Sequence, residues 1–362
     1  MTDEPEILFE KRGHAGLITL NRPKALNALT LDMVRKMHPQ LAEWAQDRSV
    51  AHVVVRAAGE KAFCAGGDIR QLHDWGRSGD PRFLDFYREE YRLNSFIKRY
   101  PKPYVALVDG IVMGGGVGLS IHGSHRVAGD RIVFAMPETG IGLFPDVGGS
   151  FFLPRLPGYV GTWLALTGAR LKQADVAWGG LATQCMPSTW FDELTEALCV
   201  ETETSDVLER FRAAPIEEAA LPALMPVIDR CFSAEAVPEI VERLEAQGGG
   251  DSDWATKQAS AIRSKSPTSL AVALRQMRKG AELDFEDCMR MEWRIVNRVI
   301  QGHEFFEGVR SVIIDKDNEP RWQPATLDEL PEPEIDAYFA PLEEELDLEG
   351  LDDSAQGKVF IA

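Results

Sequence analysis

The stretch DGIVMGGGVGLS, residues 109–120, reads as a short apolar strand that passes through a glycine cluster into a helix. Glycine lets backbone approach a ligand closely, and the first amides of the helix lack intrahelical partners and lie at the positive end of its dipole. GEKAFCAGGDI (59–69) has the same build: strand, small residues, helix start. Two such loops, each lending one N–H to the same oxygen, make an oxyanion hole. A dinucleotide GxGxxG is a poor fit, because Gly114 and Gly116 are followed by Leu119. A third stretch, MPETGIGLFPDVGG (136–149), sets Glu138 and Asp146 among Met136, Ile141, Leu143, Phe144 and Val147. A carboxylate in such company must be paired, solvated or protonated. Glu138 could cap a turn and Asp146 a helix. The chemical reading is a carboxylate pair at a pocket, raised in pKa and able to move protons or attack a carbonyl.

Outward from these motifs, ILFEK and AGLITL (7–20) form a hairpin around Gly13. AHVVVRA (51–57), YVALV (104–108) and IVFAMP (132–137) are further strands. LDMVRKMHPQLAEWAQ (31–46) is helical behind the N-cap candidate Thr30, and Pro39 predicts a kink or a split into two helices. Residues 81–98 form a charged helix. Strands alternating with helices and glycine-rich turns predict an α/β layered domain. From about 160 onward the signals are helical: 159–168, 188–200, 205–213, 216–232 and 236–246, then three amphipathic helices beyond the linker candidate AQGGGDSD (246–253). The expected organisation is a core over 1–250 with a helical extension from about 160, a helical region over 251–330, and an acidic tail over 331–362. No internal repeat is evident.

The net charge of −18 argues against nucleic acid as a partner, and no run of eighteen apolar residues offers a membrane span. Residues 324–362 hold twelve acids and one base, Lys358, and so read as a solvated face or frayed end, with a docking or regulatory role as the alternative. The remaining body carries only −7 and can host a local basic patch for an anion. Five widely spaced cysteines without a CxxC read as reduced packing residues. His122 and His125 have no nearby acid or cysteine to complete a metal set, so no metal site is expected. The acidic N-terminus lacks a signal or transit pattern, which predicts the cytoplasm. No serine sits in a GxSxG elbow, and Cys64 has no base near it in sequence.

In this order, LNRPKALNALT (20–30), KAFCAGGDI (61–69), DGIVMGGGVGLS and FAMPETGIGLFPDVGG resemble the crotonase (enoyl-CoA hydratase/isomerase) superfamily. REEYRLN (88–94), KPYVALVDG (102–110), GLFPDVGGSFFLPRLPG (142–158), KSPTSLAVALRQM (265–277) and GHEFFEGVRSVIIDKDNEPRW (302–322) bring it closer still to the 3-hydroxyisobutyryl-CoA hydrolase branch. The resemblance spans about residues 7–330. It implies stacked ββα units forming two roughly perpendicular sheets, with a helical C-terminal part, and an acyl-CoA thioester as substrate. It implies no cofactor, CoA being part of the substrate, and a possible homo-oligomer, trimeric or hexameric. By position it makes Gly67 and Gly115 the oxyanion donors, with Gly66, Asp68, Gly114 and Glu90 against the substrate. Arg22, Lys24 and Ala25 fall near the CoA nucleotide. A hydratase of this superfamily uses two glutamates, and the first falls where this chain has Gly118. Glu138 matches the second, and Asp146 replaces a small residue. The resemblance therefore implies hydrolysis, releasing 3-hydroxyisobutyrate in valine breakdown. An enoyl-CoA hydratase, a dienoyl-CoA isomerase, a general acyl-CoA thioesterase and a non-catalytic CoA-binding relative are the alternatives.

Overall fold

A computed structural model describes residues 4–350. The strands are β1 (Ile7–Arg12), β2 (Ala15–Leu20), β3 (His52–Ala57), β4 (Ala62–Cys64), β5 (Tyr104–Val108), β6 (Ile111–Met113), β7 (His125–Ala128), β8 (Val133–Ala135) and β9 (Gln184–Cys185). They build a larger sheet in the order β1-β2-β3-β5-β7-β9 and a smaller one in the order β4-β6-β8. The β1–β2 hairpin is antiparallel and the other pairings between these strands are parallel. The repeat that the residues conceal is topological. Three times over, a strand of the larger sheet (β3, β5, β7) is followed at once by a strand of the smaller one (β4, β6, β8). The corner between β5 and β6 turns at Gly110 (φ +67°), where a Cβ would lie 2.5 Å from the Lys61 carbonyl oxygen.

The helices that follow are α1 (Leu31–Gln46), α2 (Ile69–Ser78), α3 (Arg82–Lys98), α4 (Gly115–Ile121), α5 (Gly149–Phe152), α6 (Val160–Thr167), α7 (Gln173–Trp178), α8 (Phe191–Val200), α9 (Thr204–Arg210), α10 (Leu221–Phe232) and α11 (Val237–Glu245). Then come α12 (Ser252–Arg263), α13 (Pro267–Gly280), α14 (Phe285–Val299), α15 (His303–Val309) and α16 (Glu332–Ala337). Thr30 caps α1 as expected, its hydroxyl accepting from the Met33 amide. Pro39, however, neither splits α1 nor ends it. It lies on the exposed face, where water can satisfy the carbonyl that lost its partner. The 246–253 segment is a tight connection between α11 and α12, which pack against each other.

The acidic tail departs from expectation. Up to Leu348 it is a docked strap rather than a frayed end; its residues 351–362 lie outside the described residues. Ile335, Phe339, Leu346 and Leu348 are buried. Arg275 on α13 pairs with Glu332 and Asp336, and Arg294 on α14 holds Glu345 at 2.8 Å. The acids of the strap therefore answer arginines on the helical face beneath it. All five cysteines are free and buried. Among the described residues no helix is long and apolar enough to cross a membrane.

Candidate active site

A cavity of about 440 Å³ opens where α3, the two glycine loops and the 137–146 stretch meet. The first loop is set by a parallel bridge. Leu29 donates its amide to the Gly66 carbonyl and accepts from the Asp68 amide, both at 2.8 Å. That pairing uses the groups flanking Gly67 and turns the Gly67 N–H to the opposite side, toward the cavity. The second loop enters α4 through Gly114, whose φ of 45° and ψ of −122° suit glycine alone. A Cβ on Gly115 would lie 3.6 Å from the Gly67 nitrogen and 2.5 Å from Glu90 Oε1. The two expected oxyanion donors and Glu90 thus share one corner of the cavity.

Glu138 opens a 3-10 turn, Glu138–Ile141, and is buried with Oε2 unpartnered. Asp146 is equally buried and accepts a hydrogen bond from the Tyr91 hydroxyl at 3.0 Å. Burial pushes the Asp146 carboxyl up to about 7, against the opposing pull of the Tyr91 hydroxyl. Burial, followed by repulsion from Asp146, raises Glu138 well above the usual carboxylate range; the Lys265 ammonium pulls the other way. Glu90 is raised by burial and then by Asp146 and Glu292. Three carboxyls around one small cavity cannot all ionise cheaply, so protons are retained near neutral pH.

Gly118 is packed shut. A Cβ there would lie 2.8 Å from Asn94 Nδ2 and 2.9 Å from Val147 Cβ. The position from which a hydratase glutamate would act is occupied by other side chains.

The remaining expected residues divide. Gly66, Gly67, Glu90, Gly114, Gly115, Glu138 and Asp146 all line the cavity. Asp68 caps α2, accepting from the Gln71 amide, and pairs with Arg22 at 2.9 Å. Arg22 also pairs with Glu6 at 2.9 Å and donates to the Ala28 carbonyl, so its charge is already spent on this chain. Lys24 and Ala25 are exposed on a 3-10 turn, and neither lines the cavity. The cations in the cavity wall are Arg170 and the half-buried Lys265.

Several side chains around the cavity escaped the sequence reading. Tyr87, Tyr91 and Asn94 fall at i, i+4 and i+7 on α3 with the expected Glu90 at i+3, all buried, and the four form one polar stripe facing the acids. REEYRLN contained that signal, since tyrosine and asparagine at helical spacing around a buried acid are not ordinary core. Glu292 on α14 is fully buried on a face otherwise made of Phe285, Cys288, Met289, Trp293 and Val296. A lone acid on an apolar helical stripe was the available clue. Val312 and Ile313, in a π-type turn Arg310–Ile314, complete the apolar rim.

Residues 15–339 match the family model described as enoyl-CoA hydratase/isomerase. A chicken (Gallus gallus) relative named 3-hydroxyisobutyryl-CoA hydrolase, mitochondrial, is 48% identical over 93% of this chain and 89% of its own length. Its human namesake is 46% identical over 93% and 89%. Among solved structures, a carnitinyl-CoA dehydratase from Mycobacterium thermoresistibile is 40% identical, with a TM-score of 0.91 over 96% of this chain and 100% of that one. An enoyl-CoA hydratase from Rhodobacter sphaeroides is 41% identical, with a TM-score of 0.85 over 93% and 98%. The mitochondrial relatives overturn the cytoplasmic expectation. Overall composition and an acidic N-terminus carry no cellular address.

Proposed function

Because the chain belongs to the enoyl-CoA hydratase/isomerase family, we propose that it is a thioester hydrolase that splits 3-hydroxyisobutyryl-CoA into 3-hydroxyisobutyrate and CoA, as in valine breakdown. The names of similar proteins divide between hydrolase and hydratase or dehydratase. The observation that decides between them is the closed Gly118 position beside a buried Asp146. Adding water across a C=C bond takes two acid–base groups flanking that bond, and the first has neither side chain nor room. The acid pair that remains, Glu138 and Asp146, suits acyl transfer.

In this reading the Gly67 and Gly115 amides polarise the thioester carbonyl and hold the oxyanion as it forms, each donor contributing about 3–4 kcal/mol to the barrier reduction. The free oxygen of Glu138 adds to the carbonyl carbon, or draws a proton from a water that adds there. Collapse of the tetrahedral adduct breaks the C–S bond, and the proton retained by the buried acids goes through Asp146 to the departing sulfur. If an anhydride has formed, water hydrolyses it: one proton of that water returns to Asp146, the other is released, the product leaves as its carboxylate and Glu138 is again a carboxylate. Lys265 favours the ionised form of Glu138, and Tyr91 fixes the direction of Asp146. Glu90, with Oε1 unpartnered beside Gly115, accepts the hydrogen bond of the acyl hydroxyl.

Thiol release from 3-hydroxyisobutyryl-CoA, followed with a thiol reagent, should be steady, while crotonyl-CoA keeps its enoyl absorbance. Loss of that absorbance without thiol release would establish a hydratase instead.

A further inference from the structure

The acid that distinguishes this site stands on a loop that does not hold its own shape. Val147, next to Asp146, has φ +51°, a region that a β-branched residue enters only under constraint. Gly148 follows at φ +86°. Three buried side chains from elsewhere in the chain grip this turn. Gln276 on α13 donates to the Pro145 carbonyl at 2.7 Å. His122, at the end of α4, lies with Nε2 2.7 Å from the Val147 carbonyl oxygen. Glu292 on α14 accepts from the Gly148 amide at 2.8 Å with one oxygen and from the Ser150 amide at 2.9 Å with the other, and it bonds the Ser150 hydroxyl as well.

Of the three, only Glu292 spans the turn, joining residues on both sides of Gly149 through both carboxyl oxygens. Gln276 and His122 each hold a single carbonyl. A carboxyl placed on a fully apolar helix face costs desolvation, which three donors from one loop offset in part. A glutamine would keep the volume but present an NH2 group to one of the two backbone N–H donors, leaving that amide unpaired.

We propose that Glu292 is a positioning residue for the hydrolytic reaction: it clamps the Gly148–Ser150 turn and thereby holds Asp146 at the distance and angle from the thioester that proton transfer needs. The proposal rests on the hydrolase reading for its kinetic part and on geometry alone for its structural part. Helix α14 is then a component of the catalytic apparatus, delivering no group to the substrate but setting one that does.

The test uses the full-length chain with Glu292→Gln and Glu292→Asp, alone and combined with Asp146→Asn. A displacement of the order of 1 Å costs about 100-fold in rate. Glu292→Gln should therefore lose about 30- to 100-fold in kcat with KM within about threefold, and Glu292→Asp should recover part of it. On the Asp146→Asn background Glu292→Gln should cost less than about threefold more, because the two act as one unit. Amide hydrogen exchange gives a readout free of turnover. The Gly148 and Ser150 amides should exchange at least tenfold faster in Glu292→Gln, with α13 unchanged. Full kcat in a folded Glu292→Gln, losses that multiply with those of Asp146→Asn, or unchanged exchange at 148 and 150 would each overturn the proposal. A wild-type chain that releases no CoA would refute the hydrolase reading, and the exchange result would still decide whether Glu292 is the clamp.

Discussion

Replacing Gly118 by alanine puts the functional reading at risk with a single methyl group. Alanine is favoured over glycine inside a helix by about 1 kcal/mol. Against that gain, the new Cβ would meet Asn94 Nδ2 at 2.8 Å and Val147 Cβ at 2.9 Å, where ordinary contact begins at 3.4 Å. Overpacking of this kind costs about 1–3 kcal/mol. The net destabilisation is about 0–2 kcal/mol, a drop in Tm of no more than about 3 °C for a chain of this length. Folding is therefore the insensitive readout. Val147 must retreat by about 0.5 Å, and Asp146 is its neighbour in sequence, so the acid moves with it. Scaling from about 100-fold for 1 Å, kcat for thiol release should fall about tenfold. Gly118→Glu, which restores the hydratase residue in name, should abolish thiol release without producing hydration of crotonyl-CoA, since its side chain has no space to extend. Stopped-assay thiol release, enoyl absorbance and a thermal melt cover all three quantities. Gly118→Ala active within twofold of the parent would mean that Val147 does not transmit to Asp146. Gly118→Glu hydrating crotonyl-CoA at the parent's hydrolytic rate would remove the reason for excluding a hydratase.

The pKa shifts give a second test with a defined sign. Asp146 titrates higher in the folded chain, about 7, than the ordinary 3.8, so the native state binds more protons than the unfolded one between those values and loses stability as pH rises through them. Asp146→Asn removes that penalty: it should remove most turnover, leaving a measurable residual rate, yet melt higher than the parent, by about 3–5 °C at pH 8 and by little near pH 4. A gap independent of pH would contradict the shift. Lys265→Met removes the cation that favours ionised Glu138, so the acidic limb of the kcat–pH profile should move to higher pH. Arg22→Ala should lower Tm through the loss of its pairs with Glu6 and Asp68 while changing KM for the acyl-CoA less than about threefold; a larger KM change would return Arg22 to the nucleotide. Truncation after Gln323 uncovers the surface under Ile335, Phe339, Leu346 and Leu348 and should lower Tm by more than about 5 °C, since each such side chain contributes about 1.5–3 kcal/mol when fully buried.

Local pattern made the hairpin, the helix capped by Thr30 and the strand 104–108 readable, because each is decided by periodicity and caps within a few residues. The cavity-lining glycines and both acids were readable because their neighbours are wrong for a core and right for a loop. Asn94 and Glu292 left only a faint trace, an odd polar residue on a helical stripe, and the role of Glu292, like that of Lys265, comes from a partner more than 50 residues away. The tail misled for a related reason. Its charge was counted without the arginines on α13 and α14 that it meets, and composition alone does not record which face a charge confronts.

One close approach bears on how this enzyme could be re-tuned. Gly142 and Gly308 let α15 lie directly on the Glu138 turn: a Cβ on Gly142 would lie 2.1 Å from the Glu304 carbonyl oxygen, and one on Gly308 would lie 2.3 Å from the Ile141 carbonyl carbon. The π-type turn carrying Val312 and Ile313 continues from the same helix. The apolar rim of the cavity and the Glu138 turn are thus mounted on one stiff piece. In the proposed reaction, a substitution that widens the rim for a longer acyl chain should also tilt Glu138. Substrate range and turnover should therefore trade against each other in laboratory selection, and broadened variants will need a second change under α15 to regain speed.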